Sequence, residues 1–301
     1  MTARFILSLD CEGKWGVADA LTRFHHSTLS RHRLSEAYSR ILALLDEFNV
    51  PATFAFVGLF GESHKSLVAL FPELDRLAAR SPGYLRLALS DIRDGGGDGW
   101  HGDWAIDAVQ KARAGHELAL HGITHVPWGS IDRKFAADEL ALLPMLDSPL
   151  RHAETFIFPR NEIAHVDLLA AVGIKGYRLA HTFWSRASSL ANEFNLFSSP
   201  EDGLPPYGAI CRIPAGYFVN WQHGARRLVP RQLSSLRARQ MLLRAKKRDR
   251  VVHYWLHPEN VASAPQTLDN LRDIVGFVAR MRDAGRCEIM TQRDYCHAQI
   301  A

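Results

Sequence analysis

Long apolar runs are missing from this 301-residue chain. A membrane-crossing helix needs roughly 18 or more consecutive apolar residues, and no stretch supplies them. Cysteine is scarce. Cys11, Cys211, Cys287 and Cys296 are scattered, with no CxxC pair, so neither a zinc knuckle nor a disulfide framework is readable. Reduced thiols in a cytosolic protein are the simplest account. No small-residue cleavage site follows the short apolar stretch Phe5–Leu9, so a signal peptide is not expected. The expected location is the cytoplasm, with peripheral association at the inner membrane face left open. Internal repeats and low-complexity tracts are also absent.

What is present is an ordinary folded composition, with 47% hydrophobic and 23% charged residues. That is enough for one large α/β domain. The net charge of +4 hides an asymmetry: residues 226–250 hold ten Lys and Arg and one acid, Asp249. Such a segment suits anionic phosphates of a nucleotide-sugar, a lipid-linked sugar or a membrane surface. Leu233, Leu236 and Leu243 recur at roughly helical spacing, so a solvated helix face is the plainer reading and stands ahead. Without interleaved aromatics, the cluster does not read as a nucleic-acid platform.

Short apolar runs alternate with amphipathic stretches along the chain. Strands are expected at Phe5–Leu9, Ala52–Val57, Glu117–Leu120, Thr155–Phe158, Gly176–Leu179, Val251–Leu256 and Glu288–Met290. Helices are expected over 35–48, 64–80, 105–114, 133–147, 164–172 and 266–284. This repeated alternation predicts parallel βα units in a barrel or wound sheet. Two regions break it: a glycine-rich stretch within 81–104 and an irregular one over 185–230. Asp10, His121, Arg160 and His257 each fall just past the C-terminal end of an expected strand, the rim where parallel α/β folds gather catalytic groups.

His121-Gly122-Ile123-Thr124-His125 places two imidazoles four residues apart. Both can reach one ion if the turn is helical or nearly so. The zincin pattern needs Glu where Gly122 stands, so a zinc-protease reading is poor. Asp10-Cys11-Glu12 supplies two acids at a strand end. One would bind a metal while the other takes a proton from water, and the residues alone do not divide the roles. Cys11 reads as packing. Arg160 is expected to pair with the catalytic carboxylate, and His257 has the chemistry of a general acid.

Taken together, these residues resemble the polysaccharide deacetylases of carbohydrate esterase family four. Leu7-Ser8-Leu9-Asp10-Cys11-Glu12-Gly13 resembles the family's first motif, and Pro51–Gly58 its second strand. Gly115–His125 is similar to its histidine-bearing second motif, Phe158-Pro159-Arg160-Asn161 stands at the third, and Trp255-Leu256-His257 at the last. The resemblance implies a distorted (β/α) barrel of about seven parallel strands, with residues 1–301 as one catalytic domain carrying insertions at about 81–104 and 185–230. It makes Asp10 the general base, and Glu12, His121 and His125 the ligands of a divalent metal, zinc first, with cobalt, nickel or iron as alternatives. Arg160 would orient Asp10, His257 would protonate the leaving amine, and His116 would be a structural turn residue. Trp255, Trp184 and Trp100 are the candidate aromatic contacts to substrate.

Three departures mark a divergent branch. Gly122 replaces the usual Ser or Thr, Pro159 precedes the arginine, and no clear fourth motif appears around Arg178, His181 and Trp184. The implied reaction is removal of an N-acetyl or N-acyl group from an amino sugar, a precursor or component of a surface polysaccharide, nucleotide-linked or lipid-linked. Alternatives are hydrolysis of cyclic amides such as allantoin on the same fold, or a metal-free carbohydrate-binding homologue.

Overall fold

A computed structural model describes residues 2–80, 83–95, 97–181, 193–195, 206–248 and 250–300. Its core is a sheet of nine strands: β1 (Ala3–Cys11), β2 (Thr53–Phe56), β3 (Glu117–Leu120), β4 (Thr155–Phe156), β5 (Gly176–Arg178), β6 (Cys211–Ile213), β7 (Tyr217–Phe218), β8 (Val251–Leu256) and β9 (Cys287–Met290). The strand order is β6-β5-β4-β3-β2-β1-β8-β7, with β9 also on β1, and every pairing is parallel.

β1 is the longest strand, buried along its whole length except at Arg4, as expected of a parallel sheet covered on both faces. One of its edges is shared: Ala3–Ile6 pair with β9 and Ser8–Cys11 with β2, while Arg4–Leu9 pair with β8 on the other edge. The two ends of the strand order, β6 and β7, are joined by only three residues, Pro214, Ala215 and Gly216. That link spans at most about 15 Å, so the sheet curls until its ends nearly meet. The expected distorted barrel is thus observed. Its strand count rises from seven to nine because β6 and β7 lie in the region expected to be irregular.

The helices follow local chemistry. The helix Arg31–Phe48 starts where the Ser30 hydroxyl accepts the Arg33 N–H and ends at Asn49, in the left-handed region. It buries Leu34, Tyr38, Ile41 and Leu45. The single helix expected over 64–80 is two, His64–Ala69 and Phe71–Ala78, because Pro72 can only sit in a first turn. The 133–147 helix stops at Leu140 for the same reason: Pro144 opens a separate 3-10 turn, Leu143–Met145. The stretch 81–104 contains a helix, Tyr84–Arg93. The basic segment forms the helix Arg231–Arg248.

Candidate metal centre and active site

β1 carries Asp10 and Glu12 to the C-terminal rim, β3 delivers His121, and β8 delivers His257. Glu12 Oε1 lies 3.0 Å from His121 Nε2 and 3.1 Å from His125 Nε2, and the two Nε2 atoms are 3.2 Å apart. Among the described residues these three form a group of donor atoms fit for a metal ion.

The hydrogen-bond partners settle how the two rings are turned. His121 Nδ1 faces the Ile157 carbonyl at 3.0 Å, so it must donate. The Tyr84 hydroxyl donates to the Trp15 carbonyl at 2.6 Å and therefore accepts from His125 Nδ1 at 2.8 Å. With each Nδ1 committed to an outer partner, both rings turn Nε2 towards the Glu12 carboxylate oxygen, an orientation assigned from the partners. Two ring nitrogens and a carboxylate oxygen at this range need a positive charge among them, from a metal ion or from ring protons. Two imidazoles and one carboxylate are the donor set that holds a divalent cation with a position left open for water or substrate. Each histidine also has the outer hydrogen bond that metal-binding imidazoles use to fix ring and tautomer. The residues fit a divalent cation.

The His121–His125 turn is not helical, as the spacing had allowed. Gly122 sits at φ 69° and His125 at φ 62°, so the rings converge through left-handed backbone. Holding His125 there costs on the order of 1 kcal/mol or more, and a buried carboxylate supports it. Glu139 accepts the Ile123 and Thr124 N–H groups, the Thr124 hydroxyl and the Trp128 indole at 2.7–3.1 Å. Gly122 has no room for a side chain: a Cβ would stand 2.7 Å from Pro159 Cγ.

The arginine on Asp10 is not Arg160. Arg178, at the end of β5, binds both Asp10 oxygens at 2.7 Å, with both side chains buried. Arg160 instead pairs with exposed Asp19 and lies over the Tyr84 ring. The cause is the loop after β4, where Arg160 and Asn161 both take positive φ and Arg160 turns outward. Asn161 Oδ1 accepts from Arg178 instead, at 3.0 Å. Burial pushes the Asp10 carboxyl up, but the Arg178 guanidinium, together with His121 and His257, outweighs it and holds the group below its usual range.

A directional chain continues beneath. His253 Nδ1 donates to the Pro214 carbonyl at 2.7 Å, so its Nε2 accepts the Ser8 hydroxyl at 2.9 Å, and the Ser8 oxygen accepts Arg178 Nη1 at 3.3 Å. Ser8, His253 and Arg178 are polar residues in strands otherwise filled with apolar ones, and that was the sequence signal for them.

His257 donates from Nδ1 to the Asn260 side-chain oxygen at 3.1 Å and turns Nε2 towards Glu12 Oε1, 3.4 Å away. Burial lowers its pKa, yet the Glu12 and Asp10 carboxylates raise it to about 10. Glu259 Oε1 accepts the N–H groups of Glu12 at 3.0 Å and Gly13 at 2.6 Å, fixing the loop that presents Glu12.

A cavity of about 350 Å³ opens beside His257, with Tyr217, Phe218, Trp221 and Trp255 in its wall. Trp255 therefore borders the site. Trp100 does not: it is fully buried, packed edge-on to Trp15, with its N–H on Asp91. The expected contact with substrate is thus not available to Trp100, because the loop folds inward around the ring. Trp184 lies outside the described residues. His116 acts locally, its Nδ1 accepting the Ala52 N–H at 3.1 Å.

No family model and no curated protein matches this sequence. Solved structures do match in fold. A protein from Mycobacterium smegmatis assigned as a polysaccharide deacetylase superposes with a TM-score of 0.63 at 19% identity, covering 99% of this chain and 90% of that one. A second, from Pseudomonas aeruginosa and assigned likewise, gives 0.58 at 12% identity, covering 98% and 90%. The Puue allantoinase gives 0.59 at 12% identity, covering 98% and 89%. The chain has the polysaccharide-deacetylase fold, a parallel sheet curled into a distorted (β/α) barrel.

Proposed function

We propose that residues 1–301 form one catalytic domain, a metal-dependent hydrolase that removes an N-acetyl or other N-acyl group from an amino sugar. The observation that carries this reading is the meeting of three potential metal-donor atoms, from Glu12, His121 and His125, beside a carboxylate locked by Arg178 and opposite a histidine whose Nε2 faces the same point. The fold shared with proteins assigned as deacetylases supports it.

A divalent cation held there, zinc first and cobalt, nickel or iron next, would polarise the amide carbonyl and acidify a water. Asp10, kept in one orientation by two guanidinium bonds, takes the proton from the attacking water. His257, oriented through Asn260, gives a proton to the leaving nitrogen. The aromatic wall of Tyr217, Phe218, Trp221 and Trp255 packs against the sugar face and keeps bulk water out. Phosphate-linked or lipid-linked precursors of a surface polysaccharide, such as lipopolysaccharide, are the proposed substrates. The four buried, unpaired thiols support a cytoplasmic setting.

The allantoinase with the same fold supports a second reading, hydrolysis of a cyclic amide. A screen of UDP-linked and lipid-linked N-acyl sugars beside allantoin, with each metal in turn, separates them. Acetate release from the sugars is expected, and turnover of the ureide alone overturns the proposal. Metal analysis of the purified protein tests the third possibility, a binding homologue, which would hold no stoichiometric ion.

A further inference from the structure

The basic helix Arg231–Arg248 and the turn before it, Gly224–Leu228, present a surface the reaction does not use. Part of the positive charge is consumed inside the fold. Arg226 and Arg237 bind Glu193 at 2.8 and 3.0 Å, and Arg231 binds Asp273 at 2.7 Å. Arg227 and Arg239 stay exposed. Between these cations stand leucines that water should not favour: Leu228 is 74% exposed, Leu236 41% and Leu243 52%. Leu236 and Leu243 are seven residues apart, two helical turns on one face.

The helix is held rigidly from behind, with Ser234, Arg237, Ala238, Met241, Leu242 and Ala245 buried. The leucine face is therefore preformed and needs no ordering to be used. A merely solvated face would intersperse acids among its cations, yet from 226 to 250 Asp249 is the single acid. Leucines set among cations match the two layers of an anionic bilayer surface, headgroup phosphate outside and acyl chain beneath. A nucleic acid or heparin-like chain would use the cations and leave the leucines wet. A second copy of this chain would bring the same positive charge against itself.

We infer that this face, Leu228, Leu236 and Leu243 with Arg227 and Arg239, docks the protein on an anionic lipid surface. The turn that carries Leu228 also carries Arg226, which lines the cavity beside His257, so docking sets the cavity wall near the lipid headgroups. The inference deepens the proposed function, since an enzyme so placed meets lipid-carried sugars, but its test needs no turnover.

The full chain is floated with vesicles of phosphatidylcholine alone and with vesicles containing about one-third phosphatidylglycerol. Binding is expected only to the anionic vesicles and should weaken as salt is raised from about 0.05 to 0.5 M, because screening shortens the reach of the charges. The double variant L236E/L243E should lose at least ten-fold in partitioning while keeping its melting temperature and metal content, and R239E should lose part of it. Equal flotation with both vesicle types, no flotation, or an unchanged double variant overturns the inference. Retention on heparin without vesicle binding, or dimerisation through this face, overturns it too. Should L236E/L243E not fold, R239E and the salt series decide. Vesicle binding without acyl-sugar hydrolysis would sink the proposed function alone.

Discussion

Replacing Arg178 by leucine should damage both stability and turnover, whereas the same change at Arg160 should do neither. The Arg178–Asp10 pair is buried, with side-chain exposures of 0% and 3% and two contacts of 2.7 Å. Removing one partner of such a pair leaves an uncompensated buried charge and costs about 3–5 kcal/mol. In a chain of this size that lowers the melting temperature by roughly 5–8 °C. The Arg160–Asp19 pair is 40% and 36% exposed, so its loss costs about 0–1 kcal/mol. For turnover, a base that no longer faces its water forfeits roughly 10²–10⁴ in rate. Arg178→Lys keeps the charge but not the two-pronged geometry and should fall between. Calorimetry and acetate release under saturating metal read both effects. If Arg160→Leu costs more activity than Arg178→Leu, the assignment of the orienting arginine is wrong.

Tyr84→Phe removes the hydroxyl that accepts from His125 Nδ1, and metal affinity should weaken about 10–100-fold by titration calorimetry, with little change in fold. His253→Leu leaves Ser8 without its acceptor and loosens Arg178; a fall in kcat at constant KM is expected, with a stability loss of about 1–3 kcal/mol. His116 supplies a pH dependence. Burial pushes its folded-state pKa down to about 4 from an ordinary 6.5. Between those values the unfolded chain binds more protons, so stability should decline as pH falls from 6.5 to 4, by at most about 3 kcal/mol. Above pH 6.5 this group contributes no slope, and His116→Gln should flatten the acid limb of a denaturation series.

Much of the site could be read because its residues end long apolar runs. β3 and β8 coincide with the expected Glu117–Leu120 and Val251–Leu256, and a buried strand followed at once by His121 or His257 is visible without coordinates. β6 and β7 were missed because strands of three and two residues among prolines and glycines show no periodicity. Arg178 was missed for a different reason. Its role depends on which of two rim arginines the β4 loop turns inward, and that is decided by positive-φ backbone at Arg160 and Asn161. A signal did exist: an arginine inside a strand expected to be buried on both faces demands a charged partner. Trp100 shows the converse, since a glycine-rich neighbourhood describes backbone freedom and says nothing of where a large ring will pack.

The close approach of Gly122 to Pro159 joins two peculiarities of the sequence into one. Any side chain at position 122 and the Pro159 ring compete for a single volume, so a larger residue enters there only if the proline gives way. The contact therefore ties the shape of the histidine turn to the loop where Arg160 turns away and Arg178 takes over Asp10.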